Sequence, residues 1–167
     1  MDTNTPQVPE VVIFGCGNIY LGDDGFGPAV SNSLLHEHQV PAGVEVVDAG
    51  TAIRDHLFDY LLAAELRPRH IIIVDTIDQE GRQPGELFRI DPSAIPAKKL
   101  HDFSLHQFPT VNMLHELQQF TNVRISIVVA QIGQAAEQVT EGLTPAVRQA
   151  IPAACRLILD IVSATQK

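Results

Sequence analysis

The stretch Val11 to Val30, VVIFGCGNIYLGDDGFGPAV, narrows the choice of fold more than any other. A continuous apolar run, Val11 to Phe14, enters a turn with glycines at positions 15 and 17. Two adjacent carboxylates, Asp23 and Asp24, come next, then Gly25, Gly27 and a helix-like segment. A strand without polar alternation has to be covered on both faces, as in a parallel sheet flanked by helices. Strand, glycine loop and helix in that order usually cradle an anion, because glycines let backbone N–H groups approach and a helix N-terminus favours negative charge. Here the chain supplies its own negative charges at that spot. A phosphate would meet two aspartates, so a metal cation, or a group coordinated to one, suits the loop better than a nucleotide. Tyr20 also stands where the dinucleotide fingerprint wants its third glycine.

The remaining segments continue the alternation. Val44 to Asp48 reads as a second strand ending in the loop Ala49-Gly50-Thr51, and His70 to Asp75, HIIIVD, as a third closed by a carboxylate. Glu86 to Ile90 alternates apolar and polar residues, as an edge strand exposed on one side does. Arg124 to Ala130 is the fifth strand. Helical spacing of apolar residues places helices from Gly27 to about Gln39 (Val30, Leu34, Leu35), from Ile53 to about Leu66 (Ile53, Leu57, Leu61, Leu62) and from Pro109 to Phe120 (Met113, Leu114, Leu117, Phe120). A last helix starts near Thr144 as its cap, with Pro145 at its first position and Val147, Ile151, Ala154, Ile158 and Ile161 as its buried stripe. The pattern predicts an α/β fold, a three-layer α/β/α sandwich with a five-stranded, mostly parallel sheet and one antiparallel edge strand. At 167 residues, positions 1–167 are expected to form one domain, with 1–8 as a loose tail.

The net charge of −9 speaks against nucleic-acid or anionic-membrane partners, which need clustered lysine and arginine. No apolar run approaches the ~20 residues of a membrane span, and the polar start MDTNTPQVPE is not a secretory signal. A cytoplasmic protein is expected, with Cys16 and Cys155 as free thiols and Cys16 as a small packing residue at a strand end. A monomer needs no further assumption.

In an open parallel sheet, ligands sit beyond the carboxyl ends of the strands, where the strand order reverses. If the first strand lies between the second and third, Asp23 or Asp24, Asp48 and Asp75 reach that edge together. The segment Leu100 to His106, with His101 and His106, leads into the third helix and could bring an imidazole there. Two carboxylates and one imidazole with open positions would suit a borderline metal such as Zn or Ni, whereas carboxylates alone would suit Mg or Ca. Either aspartate of the pair could instead cap the first helix. Asp48 reads as a supporting group rather than a ligand. His36, His38, His56, His70 and His115 read as solvated helix or loop residues.

These residues also carry a resemblance. Gly15-Cys16-Gly17-Asn18 followed by Gly22-Asp23-Asp24-Gly25-Phe26-Gly27 resembles the opening motif of the hydrogenase maturation proteases. These endopeptidases trim the C-terminus of nickel–iron hydrogenase large subunits. The likeness continues through Asp48-Ala49-Gly50-Thr51, His70 to Asp75, Ser104-Leu105-His106-Gln107 and Gly142-Leu143-Thr144-Pro145. The segment Leu105 to Pro109 is similar to the branch serving coenzyme F420-reducing and related hydrogenases. The resemblance implies Asp24, Asp75 and His106 as metal ligands, with Asp24 and Asp75 in an aspartyl protease-like catalytic role. It also implies substrate contacts at Asp48, Gly50, Thr51 and Gln107. One departure is Asp24 itself: many members carry glutamate there, one methylene or about 1.5 Å longer. The metal implied is nickel carried by the large-subunit precursor rather than held tightly by the protease, with Zn or Cd as possible occupants. Competing readings are a small Rossmann-type nucleotide enzyme, a non-catalytic metallochaperone and a small peptidase with a permanent metal.

Overall fold

A computed structural model describes residues 7–94 and 108–167. Five strands form one sheet in the order β2-β1-β3-β5-β4, with β1 (Val11–Cys16), β2 (Val44–Gly50), β3 (His70–Ile77), β4 (Leu87–Ile90) and β5 (Arg124–Gln131). The pairs β1–β2, β1–β3 and β3–β5 are parallel, and the short edge strand β4 runs antiparallel to β5. The first strand therefore lies between the second and third, which is the strand-order reversal that makes a binding edge. Among the described residues four helices cover the sheet: α1 (Phe26–Glu37), α2 (Ile53–Leu62), α3 (Phe108–Phe120) and α4 (Pro145–Thr165). No helix among the described residues is long and apolar enough to cross a membrane.

Strand residues alternate between two cores. Phe14, Ile71, Ile73 and Ile127 pack against α2 and α3 through Leu57, Leu114 and Leu117. Ile13, Ile72, Val74 and Val128 pack against α1 and α4 through Phe26, Val30, Leu34 and Ile158. Every residue of β1 and of β3 is buried, as the apolar runs Val11 to Phe14 and Ile71 to Val74 lead one to expect. The expected sandwich with its antiparallel edge strand is what the chain forms.

Five apolar positions differ from the expected helix stripes. Leu35, Leu62 and Phe120 are exposed, and Leu61 and Ile151 are only half-buried. Each lies at the margin of its stripe, where helical spacing is met but the sheet does not reach. The second helix also stops at Leu62, with a separate 3-10 turn over Ala64–Leu66. Pro152 sits inside α4 on its solvent side, where water can satisfy the carbonyl that loses its partner.

His70 is the clearest departure from the sequence reading: it is buried, not solvated. Its Nδ1 lies 2.7 Å from the Thr165 hydroxyl and its Nε2 2.9 Å from that of Ser126. Thr165 donates to the Ile161 carbonyl, and Ser126 accepts from Arg89. One tautomer satisfies this chain of bonds: Nδ1–H donates to Thr165 and Nε2 accepts from Ser126. Burial, with the nearby Arg124 and Arg89 guanidinium groups, holds the imidazole pKa down to about 4, so it is neutral near pH 7.

Candidate active site

The site is assembled where β1 ends. Gly17 has φ of +132°, and a Cβ there would lie 1.8 Å from the Asp24 carbonyl oxygen. Only glycine lets the chain fold back and lay the 3-10 turn Gly22–Gly25 against the strand end. At Gly27 a Cβ would meet backbone atoms of Cys16 and Val74 at 2.1–2.5 Å, so the first turn of α1 rests directly on β1 and β3.

The two aspartates of that turn face different neighbours. Asp24 is nearly buried; its Oδ2 accepts from the Asn18 N–H at 2.8 Å, and the Thr76 hydroxyl lies 3.5 Å from its Oδ1. Asp23 is 1% exposed and accepts three bonds: from the N–H of Gly133 at 2.8 Å, the N–H of Thr144 at 2.6 Å and the Thr144 hydroxyl at 2.9 Å. Asp23 thus fastens the start of α4 and the preceding loop. Thr144 occupies the N-cap position of α4, but its hydroxyl goes to Asp23 and does not cap the helix. Neither aspartate caps α1, whose N-cap is Gly25.

Asp75 is fully buried in β3, on the face that packs against α2 and α3. Its Oδ1 accepts from the Thr76 N–H at 2.7 Å. Thr76 therefore touches both acids, its amide reaching Asp75 and its hydroxyl approaching Asp24. The Cys16 thiol lies in the same corner. Burial, followed by the charges of Asp75, Asp48 and Asp24, pushes its pKa well above the usual thiol value. Cys16 is a neutral packing group, not a nucleophilic thiolate, as its sequence position suggested.

Asp48 reaches the same corner from the other face of the sheet. It is exposed, its Oδ1 accepts from the Gly50 N–H at 3.1 Å, and it lines a groove of about 450 Å³ shared with Pro28, Ala29 and Ile151. Among the described residues no three His, Cys, Asp or Glu side chains form a group that could hold a metal, so Asp48 does not join Asp24 and Asp75 as a third carboxylate. The Gly50 carbonyl receives the Gly17 N–H at 2.9 Å, so Gly50 braces the glycine loop, and Thr51 is the exposed residue beyond it.

His101, His106 and Gln107 lie outside the described residues. The helix that follows them is described. α3 begins at Phe108 and ends four residues before β5 starts at the amino edge of the sheet, so its first turn faces the carboxyl edge. Its buried residues Met113, Leu114 and Leu117 pack on the sheet face that carries Asp75. Thr76 and the Asn18 amide were missed by the sequence reading. Thr76 carried one signal, its position directly after Asp75; a backbone donor such as that of Asn18 carries none.

Comparison with known proteins agrees with this architecture. A family model described as hydrogenase maturation protease matches residues 28–161. The chain is 34% identical over 167 residues to the coenzyme F420 hydrogenase subunit delta of Methanothermobacter thermautotrophicus, covering 96% of this chain and 99% of that one. It is 35% identical over 155 residues to a putative hydrogenase maturation protease of Methanocaldococcus jannaschii, covering 90% and 94%. Among solved structures, the hydrogenase maturating endopeptidase HybD from E. coli superposes with a TM-score of 0.73 over 93% of both chains at 24% identity. The glycine loop, the paired acids and the strand order thus sit in a chain that belongs to the hydrogenase maturation protease family.

Proposed function

We propose that this chain is the endopeptidase that removes the C-terminal extension of a nickel–iron hydrogenase large-subunit precursor once nickel has been inserted. The observation that carries the reading is the convergence of Asp24 and Asp75, from two separate strand ends, on Thr76 in a buried corner of the carboxyl edge. The relative named as a coenzyme F420 hydrogenase subunit points to a client of that type.

Asp24, Asp75 and His106 would hold the nickel that the precursor carries, and two carboxylates with one imidazole suit that ion or zinc. The position of α3, whose first turn faces this edge, supports His106 as the third ligand. Three protein ligands leave the shell incomplete, so a free ion is held weakly and a precursor bringing its own bound nickel is held well. Cleavage would then depend on successful nickel loading. The bound ion would supply Lewis-acid polarisation at the scissile carbonyl. The protein's part is to position that carbonyl and move protons. One carboxylate takes a proton from the attacking water as the C–O bond forms, and a proton returns to the leaving nitrogen as the C–N bond breaks. Cys16, neutral and buried, stays out of the reaction.

Mass spectrometry of a large-subunit precursor tests the reading. The nickel-loaded precursor is expected to lose its C-terminal extension, and the nickel-free one to keep it. Asp75→Asn should fold normally and leave both untrimmed. An unchanged mass with the wild-type protein would favour a chaperone, and trimming without nickel would remove the gating.

A further inference from the structure

The carboxyl edge carries a second built feature next to the two acids. Ile19, Tyr20 and Val139 are large apolar side chains exposed at 54%, 57% and 74%. They are not on slack loops. The Thr140 N–H donates to the Tyr20 carbonyl at 2.9 Å and the Gly22 N–H to the Thr140 carbonyl at 2.8 Å, closing a parallel bridge between Leu21 and Thr140. Tyr20 and Val139 each directly precede a bridge partner, so the bridge brings these two stretches of backbone together. Each strip is anchored at its far end. The Asn18 amide ties the first to Asp24, and the carboxylate of Asp23 ties the second through Thr144 and Gly133. Ordering a segment costs roughly 1–2 kcal/mol per residue, and here that ordering holds apolar side chains in water beside the site.

We propose that Ile19, Tyr20 and Val139, rimmed by the exposed carboxylates of Glu137 and Glu141, dock the folded body of the precursor; this rests on the protease reading above. Three large apolar side chains standing in water call for an apolar socket on the partner. The two glutamates flank Val139 in sequence, and the chain carries a net charge of −9. The socket is therefore edged with lysine or arginine. An aromatic anchor with apolar neighbours and a charged rim is the usual make-up of a binding hot spot. Because Asn18 and Asp23 belong both to the ledge and to the Asp24 turn, a precursor seated on the ledge meets the acids in a fixed register.

Calorimetry with a nickel-free precursor of a coenzyme F420-reducing hydrogenase isolates this contact from nickel ligation. Wild-type protein is expected to bind it, and Tyr20→Ser with Val139→Ser to weaken binding at least tenfold at unchanged melting temperature. Glu137→Lys with Glu141→Lys should slow association and flatten its salt dependence. No binding by the wild type, or equal binding by the serine variant, overturns the ledge. An untrimmed nickel-loaded precursor alongside intact, ledge-dependent binding overturns the protease reading and leaves the ledge standing.

Discussion

Strand β3 buries an ionisable group at each end, His70 at the amino edge and Asp75 at the carboxyl edge, and the two are treated oppositely. His70 is met by hydroxyls from β5 and α4 in one self-consistent chain of bonds, and its burial beside arginines keeps it uncharged. Nothing at that end calls for chemistry; the imidazole ties a strand to a helix. At the other end Asp75 shares its corner with Asp24, and both add to the negative field felt by the Cys16 thiol. Two carboxyl groups brought together out of water are a cost that architecture alone does not require. The strand thus sets a buried polar group bonded to two hydroxyls of the fold against one held beside a second carboxylate, the arrangement on which the proposed reaction rests.

Crossed substitutions should separate the two ends. Asp24→Asn is expected to lower processing roughly a hundredfold or more and shift the melting temperature little, read by precursor mass and thermal melting. His70→Leu should do the reverse. It leaves the Ser126 hydroxyl without its acceptor and costs on the order of 2 kcal/mol of stability, while processing by folded protein is unchanged; a large loss of processing at full stability would break the contrast.

The pH dependence sharpens it. His70 has a folded pKa of about 4 against the ordinary imidazole value of 6.5, so between these values the unfolded chain binds more protons. Stability is expected to fall as pH drops from 6.5 towards 4, by up to roughly 3 kcal/mol from this group, and the His70→Leu variant should lose that slope in urea titrations. The smallest effect concerns Cys16. With its pKa raised and its sulfur buried, it should resist iodoacetamide at pH 8 in native protein and react on unfolding.

The fold was legible because its strands are unambiguous. Val11 to Phe14 and Ile71 to Val74 have no polar alternation and fit only a sheet covered on both sides. Helix faces were legible at their centres and not at their margins: Leu34 and Leu35 satisfy the same spacing, and only the position of the sheet buries one and exposes the other. In the site, Asp24 and Asp75 stood out as adjacent to glycine loop and strand end. The division of labour between Asp23 and Asp24 could not be read, because it depends on α4 and its loop arriving from more than a hundred residues away. Asp48 follows its strand correctly but faces away from Asp75, since the two strands place their terminal acids on opposite sides of the sheet. His70 looked like a solvated residue because its partners, Ser126 and Thr165, are distant in sequence.

Helix α4 is held at Thr144 by Asp23 and at Thr165 by His70, one fastening at each end of its 21 residues. A rod bolted twice has no freedom to slide or turn. Inserting a single residue between the bolts would rotate one end by about 100° and advance it by about 1.5 Å, so only one of the two could close. Length changes that a surface helix would absorb are therefore forbidden along this one.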